Sequence, residues 1–497
     1  MSKIIIKSFG PMWKVNLKVI VLSIAIGGCL VACKDSDPVS VKIETLDKSQ
    51  ALSASEVEEI KGLIEADSEN RKYKRLFDDD GLIVESKLEA FLTKAGFEVS
   101  IEQQKSEISR INFYLESSGS IDGYLEGNTS YKNDIIDLLV DIKNFYSYDK
   151  INLSYITNKI TPLNITDNTN DIAKALTVQS FRKAGNRANS DLNDILNMSF
   201  NIQDDSEVTF VASDMIYSIN GANVLSLLNA QKSFIKDAFN KALKKDADLS
   251  TLILKMNSEF NGVYYSYNNK KTILKGDVRP YYIFVFGGQA YLNDLIDNLN
   301  LLKRKGIKEY YYFTPNNSPV YYTLLKTKND KGNYKQDRLT DNAFLSLSDV
   351  KTSRSEENEF SFTVGVDFSK TYLPSTYLLD SDNYEITKGN YSIDDIEEFD
   401  SSIVHPTFSN ALGRLNQKLS HTINFEAEGR NFTDLEFSLK KKMPEWVMDV
   451  NTEDDLNIYD NMDKTFGFKF LFQGIYESYK LNTSKEEYKE FRIKIRK

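Results

Sequence analysis

Residues 111–127 read INFYLESSGSIDGYLEG, and their reading decides the fold. Ile111, Phe113 and Leu115 alternate inside a nearly continuous apolar run, the pattern of a strand covered on both faces of a sheet. The run stops at Glu116, and Ser117, Ser118, Gly119 and Ser120 follow at once. In a parallel α/β sheet, ligands bind outside the carboxyl ends of the strands. A carboxylate with several hydroxyls at such an end is a hard-oxygen site, suited to magnesium or calcium. The plainer reading of a serine-rich loop is a simple turn.

Outward from this stretch, residues 133–145 place Ile136, Leu139, Val140 and Ile142 at helical spacing. Residues 151–156 predict a second strand, and residues 171–176 and 190–198 predict helices. Residues 207–212 predict a strand that ends in Ser213 and Asp214. Residues 224–256 predict a long helix in two pieces. Residues 279–286 are a very apolar strand, followed by Gly287, Gly288 and a helix through Lys305. Strands alternating with helices predict an α/β fold, with a doubly wound, mostly parallel, Rossmann-like sheet. Beyond about Pro315, Phe360, Phe362, Val364, Val366 and Phe368 alternate strictly. So do Ile423, Phe425 and Ala427, then Leu435, Phe437 and Leu439, then Phe491, Ile493 and Ile495. These predict half-buried antiparallel strands in a C-terminal β-rich, sandwich-like domain, interrupted by one helix over residues 464–479. Val57, Ile60 and Ile64 share a helical face near the N-terminus, as do Leu88, Phe91 and Leu92. The expected organisation is a leader over 1–32, a tether over 33–52, a helical segment over 53–104, the α/β domain over 105–314 and the β-rich domain over 315–497.

The 497 residues are 41% hydrophobic and 12% aromatic, enough for real cores and too many for one ordinary domain. With 62 basic and 72 acidic residues the net charge is −10. No basic run with interleaved aromatics stands out, which argues against a nucleic acid partner. Lys3, Lys7, Lys14 and Lys18 form a positive stretch, and the apolar run over 19–28 is short for a membrane span. Leu30, Val31, Ala32 and Cys33 come next. They resemble the lipobox of bacterial lipoproteins, in which the cysteine is lipidated and becomes the first residue of the mature chain. The alternatives are an ordinary secretory signal with a chance cysteine, cleavage before Cys29, and a start at Met12. Both cysteines lie in this stretch, so residues 34–497 have no disulfide, thiolate nucleophile or cysteine-bound metal. Lys34, Asp35, Ser36 and Asp37 either resemble the surface-export signals of some Gram-negative lipoproteins or form a solvated tether. The expected location is the cell envelope, as an outer membrane lipoprotein facing the periplasm or the cell surface.

Three sequence elements now stand in order: Glu116-Ser117-Ser118-Gly119-Ser120 after the first strand, Ser190 in the loop 185–190, and Asp214 after the strand 207–212. Together they resemble the von Willebrand factor type A domain and its metal-ion-dependent adhesion site. The pattern of that family is Asp-x-Ser-x-Ser after the first strand, a Thr in a later loop and an Asp after the fourth strand. The resemblance covers about residues 108–310. Residues 117–125, 211–218, 258–267 and 279–287 read SSGSIDGYL, VASDMIYS, SEFNGVYYSY and RPYYIFVFG, and these are similar to a lipoprotein subgroup of the family in Gram-negative bacteria. Glu116 stands in place of Asp and is one methylene longer. Ser190 keeps the hydroxyl of Thr, and Met215 follows Asp214 where Gly is usual.

The resemblance implies a divalent cation, Mg2+ or else Ca2+ or Mn2+, held by Glu116, Ser118, Ser120, Ser190 and Asp214. One coordination position is left for a carboxylate of a protein partner. The expectation is a membrane-anchored lipoprotein that binds a protein and is not an enzyme. His405 and His421 are the only histidines, and neither has identifiable partners for a triad or a zinc site. Gly287-Gly288 lacks a phosphate-loop pattern. The clusters Tyr264-Tyr265, Tyr281-Tyr282 and Tyr310-Tyr311-Tyr312 are expected to pack on both faces of a sheet. The alternatives are a glycan-binding lipoprotein that uses exposed tyrosines and the β-rich domain, and a structural scaffold with a degenerate metal site.

Overall fold

A computed structural model describes residues 37–46, 54–68, 70–77, 83–97, 107–185, 187, 191–200, 204, 206–219, 221–337, 343–352, 359–415, 417–429, 431–483 and 485–496. Cys33 and Ser190 lie outside the described residues. The chain divides into two compact units, Met1–Lys105 and Ser106–Lys497.

The first unit has helices α1 (Pro38–Thr45), α2 (Ala54–Ala66) and α3 (Glu85–Lys94). Ile60 and Ile64 of α2 and Leu88 and Leu92 of α3 are buried with Val39, Tyr73 and Leu76, as the helical spacing predicts. α1 falls within the expected tether. Asp37 and Pro38 start it: a capping carboxylate accepts from the Val39 and Ser40 amides, and a proline sits where its missing N–H costs nothing. Asp37 also accepts from Lys72 Nζ at 2.8 Å and from the Tyr73 hydroxyl, which fastens α1 to the rest of the unit.

The second unit begins with β1 (Arg110–Glu116), α4 (Asp122–Leu125), α5 (Ser130–Tyr146), β2 (Ile151–Ile156), β3 (Ile160–Pro162), α6 (Thr169–Ala175), α7 (Val178–Phe181), α8 (Leu192–Ser199) and β4 (Glu207–Ser213). It continues with α9 (Val224–Lys245), β5 (Leu249–Tyr265), β6 (Lys271–Gly288), α10 (Gln289–Asn298) and β7 (Ile307–Phe313). The seven strands form one mixed sheet in the order β3-β2-β1-β4-β6-β5-β7. β1 runs parallel to both β2 and β4. The other four pairings are antiparallel. The sheet therefore departs from the mostly parallel expectation at its β3 edge and on its β6-β5-β7 side. On the β6-β5-β7 side the cause is one element: the pattern read as helix through Met256 ends at Lys245, and Leu249 begins a long strand. Leu252 and Leu254 are buried on one face of the sheet and Ile253 on the other, so the apolar run carried no alternation to reveal it. β5 turns back into β6 through residues 266–270, where Asn269 takes φ 64°. A direct hairpin turn imposes antiparallel pairing.

Both faces are covered. α5 and α10 pack Ile135, Leu138, Leu139, Leu292 and Leu295 on one, and α8 and α9 pack Ile195, Leu196, Ile235 and Phe239 on the other.

The chain then forms β8 (Tyr321–Leu325), β9 (Asn333–Gln336), β10 (Ser346–Lys351), β11 (Ser361–Asp367), α11 (Ser375–Leu378), β12 (Tyr384–Lys388), β13 (Tyr391–Glu398), α12 (Pro406–Leu415), β14 (His421–Ala427) and β15 (Leu435–Lys440). It ends with α13 (Trp446–Asp449), β16 (Asn451–Thr452), β17 (Thr465–Phe466), α14 (Phe468–Asn482) and β18 (Glu487–Ile495). The alternating strands appear where predicted, in sheets ordered β13-β14-β11-β8 and β12-β15-β18-β10-β9. Phe425 of the first meets Phe437 of the second at 4.7 Å between ring centroids, so the two sheets share a core in the manner of a sandwich. Packing continues across the expected boundary at 314/315. α14 lies against α9, and a Cβ at Gly474 would sit 2.7 Å from the Lys232 carbonyl oxygen, a closeness that only glycine permits. One continuous core takes in Phe239, Phe313, Phe472 and Phe491.

Candidate functional site

β1 and β4 are neighbours in parallel register, Leu115 opposite Ala212, so Glu116 and Asp214 leave the sheet at the same edge. Both side chains are buried, at 1% and 4% exposure. The loop after β1 is held from two sides. The Ser117 amide donates to the Ile156 carbonyl at 3.0 Å, and the Ser117 hydroxyl to the Phe181 carbonyl at 3.1 Å. Arg187 Nε donates to the Ser117 carbonyl at 3.0 Å, and its Nη2 to the Ser118 carbonyl at 2.6 Å and to Asp122 Oδ1 at 2.5 Å. This fork fixes the loop and the start of α4 together, a geometry that guanidinium provides and ammonium does not.

Ser118 Oγ donates to Glu116 Oε2 at 3.1 Å and lies 2.8 Å from Ser120 Oγ. Asp214 Oδ1 accepts from the Ile216 amide at 3.3 Å, while its Oδ2 is buried and has no hydrogen-bond partner. Burial pushes the Asp214 carboxyl above the usual range, and Ser120, the Ile216 amide and the positive charge of Arg279 oppose that rise. Glu116, Ser118, Ser120 and Asp214 thus come together at one sheet edge. Ser190 is outside the described residues; Asp191 beside it caps α8, accepting from the Asn193 amide at 2.8 Å. Met215 is buried with φ 54°, the left-handed conformation that favours glycine, so it bears backbone strain beside Asp214.

Three further residues belong to this edge and carry no clear signal in the sequence. Tyr131, at the start of α5, has a buried hydroxyl without a partner, pushed well up by burial and then by the Glu116 and Asp214 charges. Arg187 clamps the serine loop to α4. Arg279 lies on β6 beyond the end of β4 and is 1% exposed. Its Nη1 donates to the Asn461 and Met462 carbonyls at 2.7 and 2.9 Å, and its guanidinium stands 4.8 Å over the Tyr264 ring. Its Nε and Nη2 have no partner. The one sequence signal for Arg279 is a charge at the head of the apolar run 279–286, within β6.

The donors at this edge are all hard oxygens, two carboxylates and two hydroxyls, and the orphaned Asp214 Oδ2 is an acceptor that a cation would satisfy. The set fits Mg2+, Ca2+ or Mn2+. Among the described residues no group of three or more His, Cys, Asp or Glu side chains is placed to hold a metal, so a cation here depends on the serine hydroxyls.

The tyrosine and histidine candidates resolve differently. Tyr264, Tyr281, Tyr282, Tyr311 and Tyr312 are buried, on alternate faces of the sheet, and Tyr265 and Tyr310 are half-buried. His421 packs against Phe368 at 5.5 Å, with its pKa lowered by burial. Among the described residues no helix is long and apolar enough to cross a membrane. Comparison with protein-family models, curated proteins and solved structures finds no match to this chain.

Proposed function

We propose that the chain is a membrane-anchored lipoprotein of the cell envelope, lipidated at Cys33, that binds a protein partner through a divalent cation in a von Willebrand factor type A-like domain. Glu116, Ser118, Ser120 and Asp214 would hold the ion, with Ser190 completing the set. The observation that carries the reading is the convergence of the two buried carboxylates. One follows the first strand of the sheet and one follows the fourth, and Asp214 Oδ2 is left without a partner. A bound divalent cation neutralises two carboxylates and has room for one from a partner. The reading is of binding rather than catalysis, because the proposed ion keeps one coordination position for a partner's carboxylate.

The test is a melting curve with and without Mg2+, Ca2+ or Mn2+. Ligand at a hundred times its dissociation constant stabilises by about 2.7 kcal/mol, which a melt resolves. The wild type should gain stability and Asp214→Ala should not. A wild type that ignores millimolar-scale concentrations of all three ions would refute the reading. It would select a scaffold with a degenerate site, which the positive charge of Arg279 near Asp214 already favours as the second reading.

A further inference from the structure

A partly enclosed cavity of about 120 Å³ lies far along the same unit, where β7, α14 and the start of β18 meet the chain just after β15. Its walls combine aromatic rings, Phe313 from β7, Tyr476 and Tyr479 from α14 and Tyr488 from β18, with Lys440, Lys442, Lys480, Lys485 and Glu486. Lys441 also lines it. The backbone of Lys441 is fixed from two sides, its amide donating to the Glu486 carbonyl at 2.9 Å and its carbonyl accepting from the Tyr476 hydroxyl at 2.7 Å. Its Nζ is buried, has no hydrogen-bond partner and stands 5.6 Å from the centroid of the Tyr488 ring. Two of the neighbouring cations differ. Lys440 is paired with Glu385 at 2.7 Å and Glu487 at 3.1 Å, and Lys480 with Glu486 at 2.9 Å.

A buried ammonium without an anion is costly, and proteins retain one where an anion or a reaction will meet it. The volume sets the size of that anion, since a comparable engineered apolar cavity of about 150 Å³ admits benzene. The aromatic walls select a flat or slender apolar body. The flexible four-carbon stem of lysine lets Nζ swing to meet a charge. We infer that this cavity binds a small amphiphilic carboxylate, with a single ring or short hydrocarbon body among Phe313, Tyr476, Tyr479 and Tyr488 and its carboxylate on Lys441. The site is independent of the cation edge at the ends of β1 and β4.

The probe is benzoate, measured by calorimetry or ligand-observed NMR on the full chain, with benzyl alcohol and acetate as the neutral and the ring-free comparisons. Benzoate should bind, and both comparisons should bind at least about tenfold more weakly, the loss expected when either a charged hydrogen bond or a buried ring is removed. Lys441→Met should cost benzoate a similar factor and leave benzyl alcohol unchanged. Thr483→Phe, which fills the cavity while keeping Lys441, should block benzoate and serves if Lys441→Met does not fold. Absence of benzoate binding at millimolar-scale concentration, or equal binding by wild type and both variants, would overturn the inference.

Discussion

The substitution Gly123→Ala probes how the serine loop is positioned. Gly123 lies on α4, immediately after residues 117–120, and packs on β5. A Cβ at this position would fall 2.2, 2.3 and 2.5 Å from three atoms of the Phe260 ring. Ordinary contact needs more than 3.4 Å, so the ring or the helix must move by about an ångström. The ring has little freedom: Phe260 is 1% exposed, with Tyr124 edge-on at 5.0 Å and Tyr264 at 6.5 Å. The backbone behind it is close as well, since a Cβ on Gly262 would lie 2.9 Å from Gly123 Cα. Overpacking of this kind costs about 1–3 kcal/mol. Replacing a helical glycine by alanine returns at most about 1 kcal/mol, and less in a four-residue helix. The net expectation is a loss of about 1–2 kcal/mol. With an m-value of about 3 kcal/mol per molar, the urea midpoint should fall by roughly 0.3–0.7 M. In protein without the leader, and so without Trp13, emission of Trp446, half-buried against Phe468 and Phe472, follows this unit. Phe260→Leu should relieve the clash, so the double variant should cost less than the two single ones added, by about 1 kcal/mol. A midpoint for Gly123→Ala equal to or above the wild type, with additive behaviour in the double variant, would refute this account of the α4–β5 approach. Because Asp122 of α4 is clamped by Arg187, the same variant should also weaken any Mg2+-dependent stabilisation.

Three other outcomes are expected. Arg187→Ala should destabilise the unit by about 2 kcal/mol in urea titration, from lost charged hydrogen bonds to the Ser117 and Ser118 carbonyls and to Asp122, and Arg187→Lys should recover only part of it. Burial pushes the Lys441 ammonium down to about 8, with Glu487 opposing and Lys485 adding, and Lys440, Lys442, Lys480, Glu486 and Tyr476 also line the cavity. The folded state therefore releases this proton before the unfolded state does, and stability should rise as pH climbs from about 8 towards the usual lysine range. Lys441→Met should accordingly be more stable than wild type at about pH 7 by about 1–3 kcal/mol and lose that rise, while benzoate binding to wild type should fade above about pH 8. Finally, Cys33→Ala should abolish labelling by a fatty-acid analogue and release the protein from membranes; undiminished labelling, or labelling that follows Cys29, would refute the lipidation site.

The sequence by itself determined where the decisive strands end. The apolar run of β1 breaks abruptly at Glu116 and that of β4 at Ser213 and Asp214, and a buried strand tolerates such polarity only at its end. The alternation in β11, β14, β15 and β18 was equally legible, because apolar side chains take one face and polar or small ones the other; in β18 that second face is open, while in β11 Ser361, Thr363 and Gly365 keep the alternation although they too are buried. The cap of α1 was present in Asp37-Pro38, although the surrounding polar residues concealed the helix. β5 was not legible, since residues 249–254 are covered on both faces and the run Leu252-Ile253-Leu254 has no period. Once β5 is a strand, its hairpin with β6 sets the antiparallel half of the sheet. Only the tertiary structure brought Arg187, Arg279 and Tyr131 to the edge that Glu116 and Asp214 share. Arg187 binds a loop 70 residues away in sequence, and Arg279 is held by carbonyls 182 and 183 residues away. Periodicity tells which face a side chain takes, but which distant element covers that face, and with what charge, is decided by packing.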